Sequence, residues 1–263
     1  MLLLSACGTE PPPRDAGEGA GVPANVVERS PPALPTVEQP LTRRDLILAA
    51  TEAASDLVTG TDDSERQQRL NGRSFSFRIR LCEGAPSRDR LTFDPAERVL
   101  RVTVRPDLVA DDPVAAAVGT GKFEAVEGFW VPYPWLLQAA CPPMPATQEQ
   151  EQEQEAAPPQ GQAPAQERPT VGLAEFFLPD TNRSTQRDGR PFSVTRRLDE
   201  GSQPGPVDLV LRGRLTRLPD AKVINCVTTV PLLAPQCVIS VSFDSVRLEQ
   251  AENGELLGEW SGA

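Results

Sequence analysis

The spacing of apolar residues changes from helical to strand-like along this chain. Leu46, Ile47, Ala50, Ala53, Ala54, Leu57 and Val58 recur three and four apart, which places them on one face of a helix. Thr42 stands where an N-cap is wanted, and Asp45 three positions on completes a capping-box pattern. Leu41 and Leu46 are placed for a hydrophobic staple, and Gly60 supplies the stop. The pattern predicts one amphipathic helix of about sixteen residues. Its polar face mixes Arg, Asp, Glu and Ser and lacks the Lys/Arg enrichment of a membrane-surface helix, so packing against a domain is expected.

From Ser74 the period is two. In SFSFRIRLC, Phe75, Phe77, Ile79 and Leu81 point one way, with Ser76, Arg78 and Arg80 opposite. Residues 91–105 read as a hairpin turning at Asp94-Pro95-Ala96-Glu97, with Leu100, Val102 and Val104 on its buried face. Further strand-like runs fall at 171–178, 191–197, 207–217, 221–228, 237–249 and 255–260, the last hairpin turning at Asn253-Gly254. Ala115-Ala116-Ala117 and Leu136-Leu137 are candidates for short helices. The expected fold is mainly β: an antiparallel sandwich or small barrel of about nine strands with one N-terminal helix. A membrane-spanning barrel is not expected, because the outward positions carry Arg, Asp and Ser where lipid would require apolar side chains.

Two stretches interrupt this pattern. Residues 8–41 are rich in Pro, Gly and Glu, and residues 142–169 are almost entirely Pro, Gln, Glu and Ala. Neither offers enough apolar surface to offset the entropy of ordering its backbone, so both are expected to stay disordered. The organisation expected is 1–6, 7–41 as a tether, 42–141 as the helix and first strands, 142–169 as an extruded loop, and 170–263 as the remaining strands of the same domain. Two smaller domains are the alternative division.

The formal charge of −11 belongs mostly to those stretches, which together carry −7 and leave −4 for the rest. No basic stripe suggests a nucleic-acid partner. The chain has no histidine, which removes imidazole-dependent nucleophile systems and the common zinc sites. No carboxylate loop has calcium-site spacing, so no metal and no cofactor are expected.

Leu4-Ser5-Ala6-Cys7 resembles the lipobox of bacterial lipoproteins, where a Leu and two small residues precede the cysteine that is lipidated. The resemblance covers these four residues and their neighbours. It implies that Cys7 is the mature N-terminus, and that residues 1–6 are the end of a signal peptide whose start lies further upstream. With Gly8 and not Asp after the cysteine, it further implies an outer-membrane lipoprotein facing the periplasm, joined to the membrane by its lipid. The other four cysteines, Cys82, Cys141, Cys226 and Cys237, form an even set with no CxxC pair, as structural disulfides in an oxidising compartment would. Pairing Cys82 with Cys141 and Cys226 with Cys237 lets each half close on itself. Four buried free thiols are the alternative.

The densest chemical cluster is residues 128–135, GFWVPYPW, where Phe129, Trp130, Tyr133 and Trp135 are four of thirteen aromatic residues. Prolines flanking Tyr133 would hold neighbouring rings at fixed directions, as a platform for sugar rings or a partner's apolar segment. The alternative is that these rings fill the core and cover a sheet edge. Glu124 and Glu127 are the natural carboxylates for glycoside hydrolysis beside such a platform, although spacing does not separate them from the other acids. A Ser–Lys pair on Lys122 or Lys222 has no further support. The expected function is therefore non-enzymatic binding or assembly in the cell envelope, with another envelope protein or a glycan as partner. A carbohydrate-binding or carboxylate-dependent hydrolysing protein is the alternative.

Overall fold

The computed structural model describes residues 38–82, 89–119, 123–142, 169–179, 186–201, 203–218 and 222–261. Cys7, the rest of the expected tether up to residue 37, Lys122 and residues 143–168 of the expected loop lie outside this set. Within it the order is β1 (Leu41–Thr42), α1 (Arg43–Thr59), α2 (Ser64–Leu70), β2 (Ser74–Leu81), β3 (Arg90–Asp94), β4 (Val99–Val104), β5 (Leu108–Val109), α3 (Pro113–Gly119) and β6 (Ala125–Trp130). There follow β7 (Val171–Phe177), β8 (Phe192–Arg197), β9 (Val207–Leu215), β10 (Ile224–Val227), β11 (Gln236–Gln250) and β12 (Leu256–Ser261). The chain is mainly β, and contacts join Gln39–Ala263 into one unit.

Helix α1 begins as its capping pattern dictates. Asp45 N donates to Thr42 Oγ1, Thr42 N donates to Asp45 Oδ2 at 2.8 Å, and Gly60 ends the helix with φ of 69°. The bonds from Thr42, backbone first and hydroxyl second, hold the Asp45 carboxyl below its ordinary range. Leu46, Ile47, Ala50 and Ala53 face the core as their spacing requires. Helix α2 has little apolar patterning and is held instead through one side chain. Gln67 Oε1 accepts from Val223 N and Ile224 N, while its Nε2 donates to Ile224 O and Asp63 Oδ2. The amide thus pairs with the start of β10 as a neighbouring strand would.

Nine strands form one mixed sheet in the order β1-β2-β9-β11-β7-β6-β5, with β10 and β12 also paired to β11. A second, antiparallel sheet runs β3-β4-β8. This corrects the expectation of a purely antiparallel fold of about nine strands: β1 pairs with β2 and β7 with β11 in parallel, and twelve strands are present among the described residues. The large sheet is open and not a barrel, running from β1 to β5 without closing. Among the described residues there are three helices where one was expected; the alanine run lies in α3, whereas Leu136-Leu137 lies outside any helix.

The alternating face of β2 joins α1, the inward residues Leu100, Val102 and Val104 of β4, and the inner side of β9 and β11 in one core. A second cluster lies across the sheet, where Val114, Ala115 and Val118 of α3 cover Leu108, Val126, Ala174 and Val238. Strand β6 therefore has covered residues on both faces, and its Val126–Phe129 run is buried without alternation. On the polar face of β2, Arg78 reaches Glu249 at 2.7 Å and Arg80 reaches Asp208, whose side chain is itself buried.

Strand β11 holds the large sheet together. Its first residues pair with β10 and β7, and its later residues with β9 and β12. Within the pairing to β9 the register shifts: Phe243 faces Gly213 and Ser245 faces Arg212, leaving Asp244 as the extra residue of a bulge. That slip lets Ile239, Val241 and Phe243 share the core with Val246 and Leu248 although their parity differs. The strands approach closely here, because a Cβ on Gly213 would lie 2.0 Å from Ser242 O and 3.1 Å from Phe243 Cα. Gly213→Ala should therefore lower stability by about 1–3 kcal/mol, read as an earlier urea midpoint with an unchanged slope. An unchanged midpoint would mean that the strands separate freely at the bulge.

Candidate functional site

Beside the bulge, β6, β7, β8, β11 and β12 border a cleft of about 380 Å³, within the size range of small-ligand sites. Its aromatic lining consists of Phe129, Phe192, Phe243 and Trp260. Phe129 packs against Phe192 and Phe243 at ring distances of 5.9 and 6.2 Å, and Trp260 meets Phe192 edge-on at 5.2 Å. The three phenylalanines are buried, whereas Trp260 is half-buried against the core.

The polar lining is charged in both senses. Glu127 and Glu175 stand directly opposite each other on antiparallel β6 and β7, an arrangement that costs stability unless each charge is answered. Glu127, buried, accepts from Arg187 N at 2.8 Å and Gly189 N at 3.2 Å, which fixes the turn leading into β8. Glu175 accepts from Ser242 Oγ and Phe243 N, the two residues just before the bulge. Glu259 is paired with Arg247. Arg187 stacks over the Phe192 ring at 5.0 Å and donates through Nη2 to Pro191 O. Its Nε is buried and has no hydrogen-bond partner among the described residues.

The 128–135 segment does not act as one platform. Alternation along β6 sends Phe129 into the core and the cleft, and Trp130 to the opposite face. There the indole Nε1 donates to Asp112 Oδ2 at 3.1 Å and the backbone N to Asp107 Oδ1 at 2.8 Å. After Val131 the chain turns through Tyr133, whose φ is 51°, and Tyr133 and Trp135 meet edge-on at 5.5 Å. Trp135 is 53% exposed and lines a wider groove with Arg44, Arg78, Leu136 and Leu137. Glu124 is exposed ahead of β6 and does not line the cleft, so of the two carboxylates suspected from sequence only Glu127 does. Lys222 pairs with Asp63 at 3.3 Å, away from the cleft lining. Glu175, Arg187, Phe192, Phe243 and Trp260 were not suspected: they come from separate parts of the chain, and only the strand pairing assembles them.

One buried cation positions the Trp135 segment. Arg43 at the start of α1 donates to the carbonyls of Leu136, Arg78, Pro132 and Tyr133, and stacks over Phe77 at 5.2 Å. Burial lowers its pKa to about 10, which leaves it charged at neutral pH. The same segment ends at the Cys82–Cys141 disulfide. The second bridge joins Cys226 to Cys237, directly opposite residues of β10 and β11. Both pairings are those favoured from the sequence. By chain entropy they contribute about 4 and about 3 kcal/mol respectively. Among the described residues no group of three or more Cys, Asp and Glu could hold a metal ion, and no helix is long and apolar enough to cross a membrane.

No protein-family model matches the chain, and no curated protein and no solved structure matches it either.

Arg43→Ala strips four carbonyls of their donor and should cost about 2–4 kcal/mol, with faster proteolysis within residues 132–140. Arg43→Lys should recover only part, since an ammonium lacks the planar fork that spans these acceptors. Unchanged melting and cleavage in Arg43→Ala would contradict this positioning role.

Proposed function

We propose that this chain is a lipid-anchored protein of the cell envelope, held through Cys7 and acting by binding and not by catalysis. The observation that carries the reading is the pair of disulfides, which engage all four cysteines other than Cys7. Such bridges persist in oxidising compartments. Leaving Cys7 out of the set agrees with its place in the lipobox-like Leu4-Ser5-Ala6-Cys7. An outer-membrane position facing the periplasm follows from Gly8 in the same resemblance. Some thirty residues would then separate the lipid from the domain.

The binding face that this reading favours is the cleft beside the bulge. The glycan alternative draws support from the same place, since aromatic rings and carboxylates meet there. Bond cleavage draws less: glycoside hydrolysis uses one carboxyl as acid and another as base or nucleophile. Here Glu127, Glu175 and Glu259 already take protein donors.

Metabolic labelling with an alkyne analogue of palmitate, in cells expressing the protein from its native locus, tests the anchor. The wild type should take up label and fractionate with membranes, and Cys7→Ser should lose both. A wild-type protein without label would overturn the anchoring.

A further inference from the structure

The hydrogen-bonding groups of the cleft narrow its ligand. Of the two facing carboxylates, Glu127 takes one backbone donor on each oxygen, Arg187 N and Gly189 N, and each oxygen can accept another; Glu175 adds a second negative charge beside it. Arg187 Nε is a buried donor with no partner among the described residues. A buried donor left so is unfavourable, and an acceptor on a ligand would recover that cost. The ligand should therefore donate hydrogen bonds to a carboxylate and accept one from a guanidinium N–H. A carboxylate on the ligand would satisfy Arg187 and be repelled by Glu127 and Glu175. A purely apolar ligand would leave Arg187 Nε unsatisfied.

Hydroxyl groups both donate and accept, so a polyol meets both demands without charge. The aromatic side of the cleft adds the second half of the argument. Trp260, half-buried and held edge-on to Phe192, lines the cleft as a flat apolar side chain beside charged groups. A pyranose has the matching character, with C–H bonds on its faces and hydroxyls at its rim. We propose that the cleft binds a neutral sugar ring of a glycan, stacked on Trp260 and hydrogen-bonded to Glu127 and Arg187. The assignment rests on the binding role proposed above and names its ligand class.

The test is isothermal titration of the full-length protein with maltotetraose, cellotetraose and chitotetraose as neutral probes and tetragalacturonate as the anionic one. At least one neutral tetrasaccharide should bind saturably and more tightly than tetragalacturonate. Trp260→Ala should weaken that binding at least about tenfold, and Trp260→Phe should retain most of it. Arg187→Gln should weaken it as well, which keeps the test open should Trp260→Ala melt early. Trp135→Ala, in the other groove, should leave it unchanged. Binding of none of the neutral probes, preference for tetragalacturonate, or binding unaffected by both Trp260→Ala and Arg187→Gln would overturn the proposal. Palmitate labelling without saccharide binding removes the sugar assignment alone; saccharide binding without labelling removes the anchor alone.

Discussion

The pairing of β11 with four other strands is the constraint on which the rest of the structure depends. Fifteen residues in one strand carry partners β10 and β7 early and β9 and β12 later, so four segments distant in sequence take their register from it. The bulge at Asp244, within the pairing to β9, keeps the apolar side of the strand inward before and after the slip. Phe243 and Ser245, on either side of it, line the cleft. Gly213 permits the close approach there, and Cys226–Cys237 ties β10 to the strand's beginning. Site and scaffold therefore share one structural origin.

What was legible in the sequence was local. The cap at Thr42, the stop at Gly60, the alternation from Phe75 to Leu81 and the turn at Asn253-Gly254 each depend on residues a few positions apart, and each is found. Strand β6 was hidden because α3 covers one of its faces and the main core the other, which erases the period of two. The bulge did leave a trace: the apolar positions run Ile239, Val241, Phe243 and then Val246, Leu248, a slip of one at Asp244. Short β1 and β5, two residues each, have no pattern to read. The parallel pairing of β7 with β11 is long-range and cannot be seen without the fold.

The candidate site was less legible, for the same physical reason. Proximity in sequence suggested that Phe129, Trp130, Tyr133 and Trp135 act together, but alternation and the turn at Tyr133 send them to different places. The cleft instead gathers Glu127, Glu175, Arg187, Phe192 and Trp260, whose only common feature is their place around the bulge. The facing glutamates appear only once register is known, and their cost is met by backbone donors from the turn before β8 and from β11. The arginines scattered along the strands also gain a role in this frame: Arg78 and Arg80 answer the buried Asp208 and Glu249.

Native-state hydrogen exchange tests the central claim, that β11 makes both parts of the large sheet one cooperative unit. Amides of 237–241 and 246–250 should exchange slowest, with one common opening free energy that equals the global unfolding value and falls together in Gly213→Ala. Two distinct opening energies, one for each side of Asp244, would contradict it.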